Sequence, residues 1–125
     1  MKTLLLLFLL PLYTIGQDSS SVPKPKMKQY FFVMLKAGPN RSQDSTAAAK
    51  IQEGHMANIR KLSDNGKLVV AGPFGDNGNW RGIFILDTPT IEEAETLVKT
   101  DPAIQSGRLT YEIHPWWTMQ GTVIK

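Results

Sequence analysis

Three observations predict an α+β fold built on a four-stranded antiparallel sheet. Two segments, 28–36 and 80–87, alternate with apolar side chains on both faces, as strands covered on both sides do. Two other segments carry a stripe at helical spacing: Ile51, His55, Ile59 and Leu62, then Ile91, Ala94, Leu97 and Val98. Clusters of Gly, Pro, Asn and Asp separate these segments and leave room for two further strands. The resulting order is strand, helix, strand, strand, helix, strand, a ferredoxin-like βαββαβ arrangement.

Residues 1–16 read as a signal peptide, with Lys2 ahead of the apolar run Leu4 to Leu10 and small residues Thr14 and Gly16 before the expected cleavage point. Cleavage after Gly16 makes the chain an exported protein, periplasmic or secreted, with no stable membrane insertion. The apolar run is shorter than the ~20 residues a bilayer-spanning helix needs; an uncleaved anchor is the alternative. Residues 17–26, with three serines and two prolines, have little to bury and read as a disordered tether. The folded domain is 27–125.

Along the domain, the first strand sets Tyr30, Phe32 and Met34 against Phe31, Val33 and Leu35. Asp44 or Ser45 can cap the first helix, and Asn65-Gly66 ends it, because glycine accepts the left-handed backbone of such an ending. Gly54 costs that helix roughly 1 kcal/mol of propensity, which close packing or room for a small molecule would explain. A second strand is expected over 67–71 and a long turn over 72–79. Thr90-Ile91-Glu92-Glu93 has the form of a capping box opening the second helix, with Glu93 reaching back to the threonine. Asp101-Pro102 starts a single turn, and the last strand covers 108–117. Because apolar residues point both ways from the first and third strands, one sheet face needs a cover beyond the helices, and a homodimer supplies it.

Composition excludes several classes. The net charge of +3 comes with no dense Lys/Arg stripe and no glycine-rich phosphate loop, which leaves nucleic-acid binding without support. There is no cysteine, so disulfides and thiolate chemistry are ruled out. Two histidines without His-x-x-x-His spacing predict no metal site. No Gly-x-Ser-x-Gly elbow points to a serine hydrolase.

The histidine on the first helix, the run Gly66 to Pro73 reading Gly-Lys-Leu-Val-Val-Ala-Gly-Pro, Asp101-Pro102 after the second helix and the Trp116-Trp117 pair in the last strand occur in the order and spacing of the YciI-like, YCII-related family, which this chain resembles over 28–117. The resemblance implies a dimeric α/β barrel with a cavity between sheet and helices. It also implies a His-Asp active site, matched here by His55 and Asp101, and a pocket border at Gly72 and Pro73. Some similar proteins act on chlorinated or hydroxylated aromatics without a redox cofactor, so the resemblance implies lyase or isomerase chemistry with no cofactor.

Each candidate also has a plainer reading. His55 can be an interior histidine, and Asp101 the N-cap of the turn that Pro102 begins. Tyr30 and Tyr111 can donate to a ligand or serve as strand packing. Arg108 and Arg81 can clamp a carboxylate or form surface ion pairs. Trp80, Trp116 and Trp117 can line a pocket or a dimer contact. His114, ahead of Pro115, reads as a solvent-facing edge residue. The expectation is therefore an exported homodimer that binds a small organic, possibly aromatic, molecule and works by His-Asp acid/base chemistry. A non-catalytic ligand-binding or assembly module is the alternative.

Overall fold

β1 (Met27–Ala37) is the strand the sheet is built on, since its alternating apolar residues require neighbours on both edges and cover on both faces. The computed structural model describes residues 23–125. The signal peptide expected over 1–16 and the tether residues 17–22 lie outside the described residues; 23–26 are exposed and without regular structure. β1 pairs with β3 (Trp80–Leu86) on one side and β4 (Leu109–Met119) on the other, and β2 (Leu68–Pro73) extends the sheet beyond β3. The order is β2-β3-β1-β4 with every pair antiparallel, the expected ferredoxin-like α+β architecture.

Register separates the two faces. Val33 lies opposite Phe84 on β3 and Ile113 on β4, and with Phe31, Leu35, Leu68 and Leu86 it forms the core under the helices. Each such side chain, fully buried, contributes on the order of 1.5–3 kcal/mol of transfer free energy. The neighbouring positions Tyr30, Phe32, Met34, Ile83 and Ile85 point to the opposite face, where no helix packs.

α1 (Ser45–Asp64) starts where the Asp44 side chain accepts from the Ala47 N–H at 2.8 Å, and it ends at Asn65 with Gly66 at φ 70°. Along its stripe Leu62 is buried, while Ile51, His55 and Ile59 are half-buried. α2 (Ile91–Val98) is capped by Thr90, whose hydroxyl accepts from the Glu93 N–H at 3.2 Å. The second half of the expected capping box differs. The Glu93 carboxylate accepts from Lys67 Nζ at 2.8 Å, which ties α2 to the start of β2. α3 (Pro102–Gln105) is a single turn with Asp101 as its N-cap.

Two strands run further than the sequence predicts. β2 continues through Gly72 and Pro73, opposite Ile83 and Gly82, shortening the expected turn at 72–79. β4, expected to end at 117, continues two residues further to Met119, with Pro115 inside it. Both are edge strands, where a proline's missing N–H removes no ladder bond on the open side. The loop after β1 is held against the start of β4: Gly38 N–H donates to the Arg108 carbonyl at 2.9 Å, and a Cβ on Gly38 would lie 2.2 Å from the Gly107 oxygen.

Of the two explanations for Gly54, the structure gives close packing. A Cβ there would lie 2.9 Å from Pro102 Cγ and 3.3 Å from Pro102 Cβ, so α1 and α3 meet at this residue. Gly54→Ala gains roughly 1 kcal/mol of helix propensity but overpacks a rigid pyrrolidine ring, at a cost of about 1–3 kcal/mol. The variant should have a lower denaturation midpoint in urea; an equal or higher midpoint contradicts this packing.

Tyr111 on β4 donates to Glu95 on α2 at 3.0 Å. That bond, and then Lys99, holds the Glu95 carboxyl below the usual carboxylate range, while burial first and the glutamate second raise the Tyr111 phenol. A depressed folded-state value means the Glu95 contribution is complete above the ordinary carboxylate pKa and is lost as pH falls through the folded value. Tyr111→Phe should move the Glu95 titration upward in an NMR pH series. No movement would show that the phenol is not the main influence on this carboxyl.

Candidate active site

The Asp101 side chain is fully buried although it is an ionisable group, because both of its oxygens have partners. Oδ1 accepts from the Ala103 N–H at 2.9 Å, the bond that opens α3. Oδ2 lies 2.6 Å from Nδ1 of His55. The cap and the histidine partner are thus one carboxylate used twice.

His55 reaches it from α1. Its place in the apolar stripe directs the ring at the sheet, where it stacks on Phe84 with centroids 6.0 Å apart and planes 20° from parallel. A carboxylate offers only lone pairs, so Nδ1 carries the proton and the neutral ring keeps its lone pair on Nε2. Nε2 makes no hydrogen bond among the described residues, and the side chain retains 12% exposure. On the Phe84 side, Ala71 of β2 lies opposite Phe84 and is exposed, so the layer over the sheet is incomplete at the β2 edge. One turn along α1, Asn58 Oδ1 accepts from the Thr100 hydroxyl at 3.1 Å, and the buried Asn58 Nδ2 has no partner among the described residues. This second α1 contact holds the residue just before Asp101.

Among the remaining candidates, Pro73 and Arg108 line a cavity of about 210 Å³ at the sheet end where α1 begins. Ile51 and Gln52, on the helix turn preceding His55, and Ala103, which binds Asp101, are also in its wall. Gly72 and Tyr30 lie elsewhere. Gly72 pairs with Ile83 and Tyr30 with Trp116, both on the sheet face that carries no helix. The sheet backbone therefore stands between these two and the His55–Asp101 pair. Tyr30 is 8% exposed and lines a second cavity of about 220 Å³ on that open face with Phe32, Val70, Ile85 and Trp116. Tyr111 packs beside the core and binds Glu95.

The three tryptophans are exposed, Trp80 against Phe74 and Trp116 edge-on to Phe32. His114 is exposed on edge strand β4, 3.6 Å from Glu112. Among the described residues no three His, Asp or Glu side chains gather as metal ligands, and no helix is long and apolar enough to cross a membrane.

Two contributors escaped the sequence reading. Phe84 was legible as a strand core residue but not as the surface under an imidazole. Arg41, in the loop after β1, gave no signal at all; its Nη1 donates to the Arg108 carbonyl at 2.7 Å, which brings it into the cavity of Arg108.

No curated protein matches the chain. Among solved structures it is similar to 5-chloro-2-hydroxyhydroquinone dehydrochlorinase (TftG) from Burkholderia phenoliruptrix AC1100, in complex with 2,5-dihydroxybenzoquinone. The TM-score is 0.51 and the identity 19%, over 69% of this chain and 92% of that chain, a likeness of fold. The family model of the YCII-related domain matches residues 30–117, which takes in β2, β3, most of β1 and β4, all three helices and the His55–Asp101 pair. On that match the chain belongs to the YCII-related domain family.

Proposed function

We propose that this domain binds a small organic molecule, aromatic in the sharpest form, beside His55 and moves a proton on it in a cofactor-independent lyase or isomerase reaction. The observation that carries the reading is the 2.6 Å contact between His55 Nδ1 and a fully buried Asp101, with Nε2 left unbonded. Nε2 takes a proton from the substrate, and the carboxylate stabilises the imidazolium that forms. The electron pair released either expels a leaving group, which completes a lyase step, or shifts within the substrate so that the proton returns at another atom. The fold likeness to a dehydrochlorinase supports the lyase form.

A non-catalytic ligand-binding module is the second reading, favoured by the bond from Asp101 Oδ1 to the Ala103 amide, which gives the aspartate a purely structural use. Asp101→Asn separates the two. The Ala103 N–H keeps an acceptor only if the asparagine oxygen faces it, which turns the amide NH₂ toward His55 Nδ1. Nδ1 must then accept, and the ring proton moves to Nε2, where the base was. In a screen of chlorinated and hydroxylated aromatics, Asp101→Asn and His55→Ala should each lower turnover by roughly 10²-fold or more, with binding retained in Asp101→Asn. Activity that survives both substitutions would sink the assigned roles.

We also infer that the chain is exported and dimeric. Export rests on the n-region, apolar run and small residues of 1–16. Dimerisation rests on the helix-free sheet face, where Phe32, Met34, Ile83 and Val70 are only half-covered and Trp116 is exposed. Native mass spectrometry of protein recovered from the source cell reads both. Two copies, each beginning at Gln17, are expected. A single copy at micromolar concentration removes the dimer, and retention of 1–16 removes the cleavage.

A further inference from the structure

The cavity at the α1 end of the sheet is lined by three arginines from three separate segments. Arg41 comes from the loop after β1, Arg81 from the start of β3 and Arg108 from the residue before β4. Their hydrogen bonds go to neutral groups: Arg41 to the Arg108 carbonyl at 2.7 Å, Arg81 to the Gly78 carbonyl at 3.3 Å, and Arg108 to Gln43 Oε1 at 3.0 Å. Among the described residues no carboxylate pairs with any of the three. Burial, and after it the charges of Arg108 and Arg81, lower the Arg41 pKa from its ordinary value.

The other end of the sheet shows the contrast. A larger cleft there, about 550 Å³, is lined by Lys28 and Lys67, but these are paired with Asp87 at 2.6 Å and Glu93 at 2.8 Å. Its positive charge is already neutralised within the chain. The arginine cavity lacks that compensation and therefore has a standing electrostatic preference for an anion.

We propose that the cavity of Arg41, Arg81 and Arg108 binds the carboxylate of a small organic acid, and that this acid is the substrate class of the neighbouring His55–Asp101 pair. The second clause rests on the acid/base reading above; the first does not. Guanidinium forks match a planar carboxylate in two-pronged hydrogen bonds. Ile51, Phe74 and Leu109 supply apolar wall for the rest of the molecule. No glycine lines the cavity, so it has no glycine-rich loop of amides such as cradles a phosphate. Its volume of about 210 Å³ lies below the roughly 300 Å³ at which pockets for drug-sized ligands begin. Side chains on a helix lean toward its N-terminus, so His55 projects over the turn that contributes Ile51 and Gln52.

Isothermal titration calorimetry of the whole mature chain with benzoate, its neutral counterpart benzamide and inorganic phosphate tests this. Benzoate should bind saturably, more tightly than either of the others, and should lose roughly tenfold or more in affinity in Arg81→Gln and in Arg108→Gln. Binding should persist in His55→Ala. Benzamide binding as tightly as benzoate overturns the proposal using wild-type protein alone, so a misfolded variant cannot obscure the result. Preferred binding of phosphate, unchanged affinity in both arginine variants, or no benzoate binding also overturns it. Arginine-dependent benzoate binding without turnover of any chlorinated or hydroxylated aromatic acid would refute the acid/base reading and the substrate assignment while leaving the carboxylate site. Turnover that needs His55 but shows no benzoate binding would do the reverse.

Discussion

A carboxylate taken completely out of water joins α1 to α3. Burying an ionised group costs several kcal/mol unless its lone pairs find donors, and removing one partner of a buried pair costs about 3–5 kcal/mol. Asp101 meets that demand with one backbone amide and one imidazole. The turn of α3 must therefore form where the Ala103 N–H can reach Oδ1, and α1 must place His55 at Oδ2. Gly54 permits the approach, because Pro102 occupies the space that a side chain there would fill. A helix propensity penalty in α1 is thus the counterpart of a buried charge outside it.

The two sheet faces have been given different tasks. The face under the helices packs Val33, Phe84, Leu86 and Val98 to near-zero exposure and supports the histidine ring on Phe84. The other face, with Tyr30, Phe32, Ile85 and Trp116, carries its own cavity, and no ionisable side chain other than Tyr30 lines it. Glu112 and His114 stand on that face but are exposed at the edge, and Lys36 holds the Glu112 carboxyl below the usual range. A ligand on this face would be separated from His55 by the sheet itself. The buried His–Asp contact therefore belongs to the helix side alone, and the open face presents a half-covered apolar surface.

Periodicity made the helices and central strands legible. The stripe Ile51, His55, Ile59, Leu62 pointed the imidazole inward, and Asp101 before Pro102 marked a cap. The contact between them was not in the pattern, because the two residues are 46 positions apart and only the family resemblance paired them. The turn expected from Gly72 begins only after Pro73, since a proline is tolerated in an edge strand and edge position is a property of the assembled sheet. Strand parity already separated Tyr30 from Phe31, yet it could not say which parity the helices would cover. The arginine cluster had no local signature: its members sit in a loop and at two strand starts, and they converge because Gly38 lets that loop lie against Gly107.

Asp101 also shows why structural and functional readings of one residue need not compete. A cap and a histidine partner ask the same thing of a carboxylate, namely a fixed orientation with one oxygen engaged. Holding Oδ1 on a backbone amide removes the side chain's rotational freedom, so Oδ2 meets His55 without a further entropy cost of ordering. The imidazole in turn is held on its other side by a ring packed in the core, so its tautomer and direction follow from folding alone. What folding leaves unsatisfied is informative in the same way. Among the described residues on the helix side, Nε2 of His55 and the buried Nδ2 of Asn58 have no hydrogen-bond partner, and the three arginines that line the cavity have no carboxylate partner. His55 stands one helix turn beyond Ile51 and Gln52, which line the cavity of the arginines.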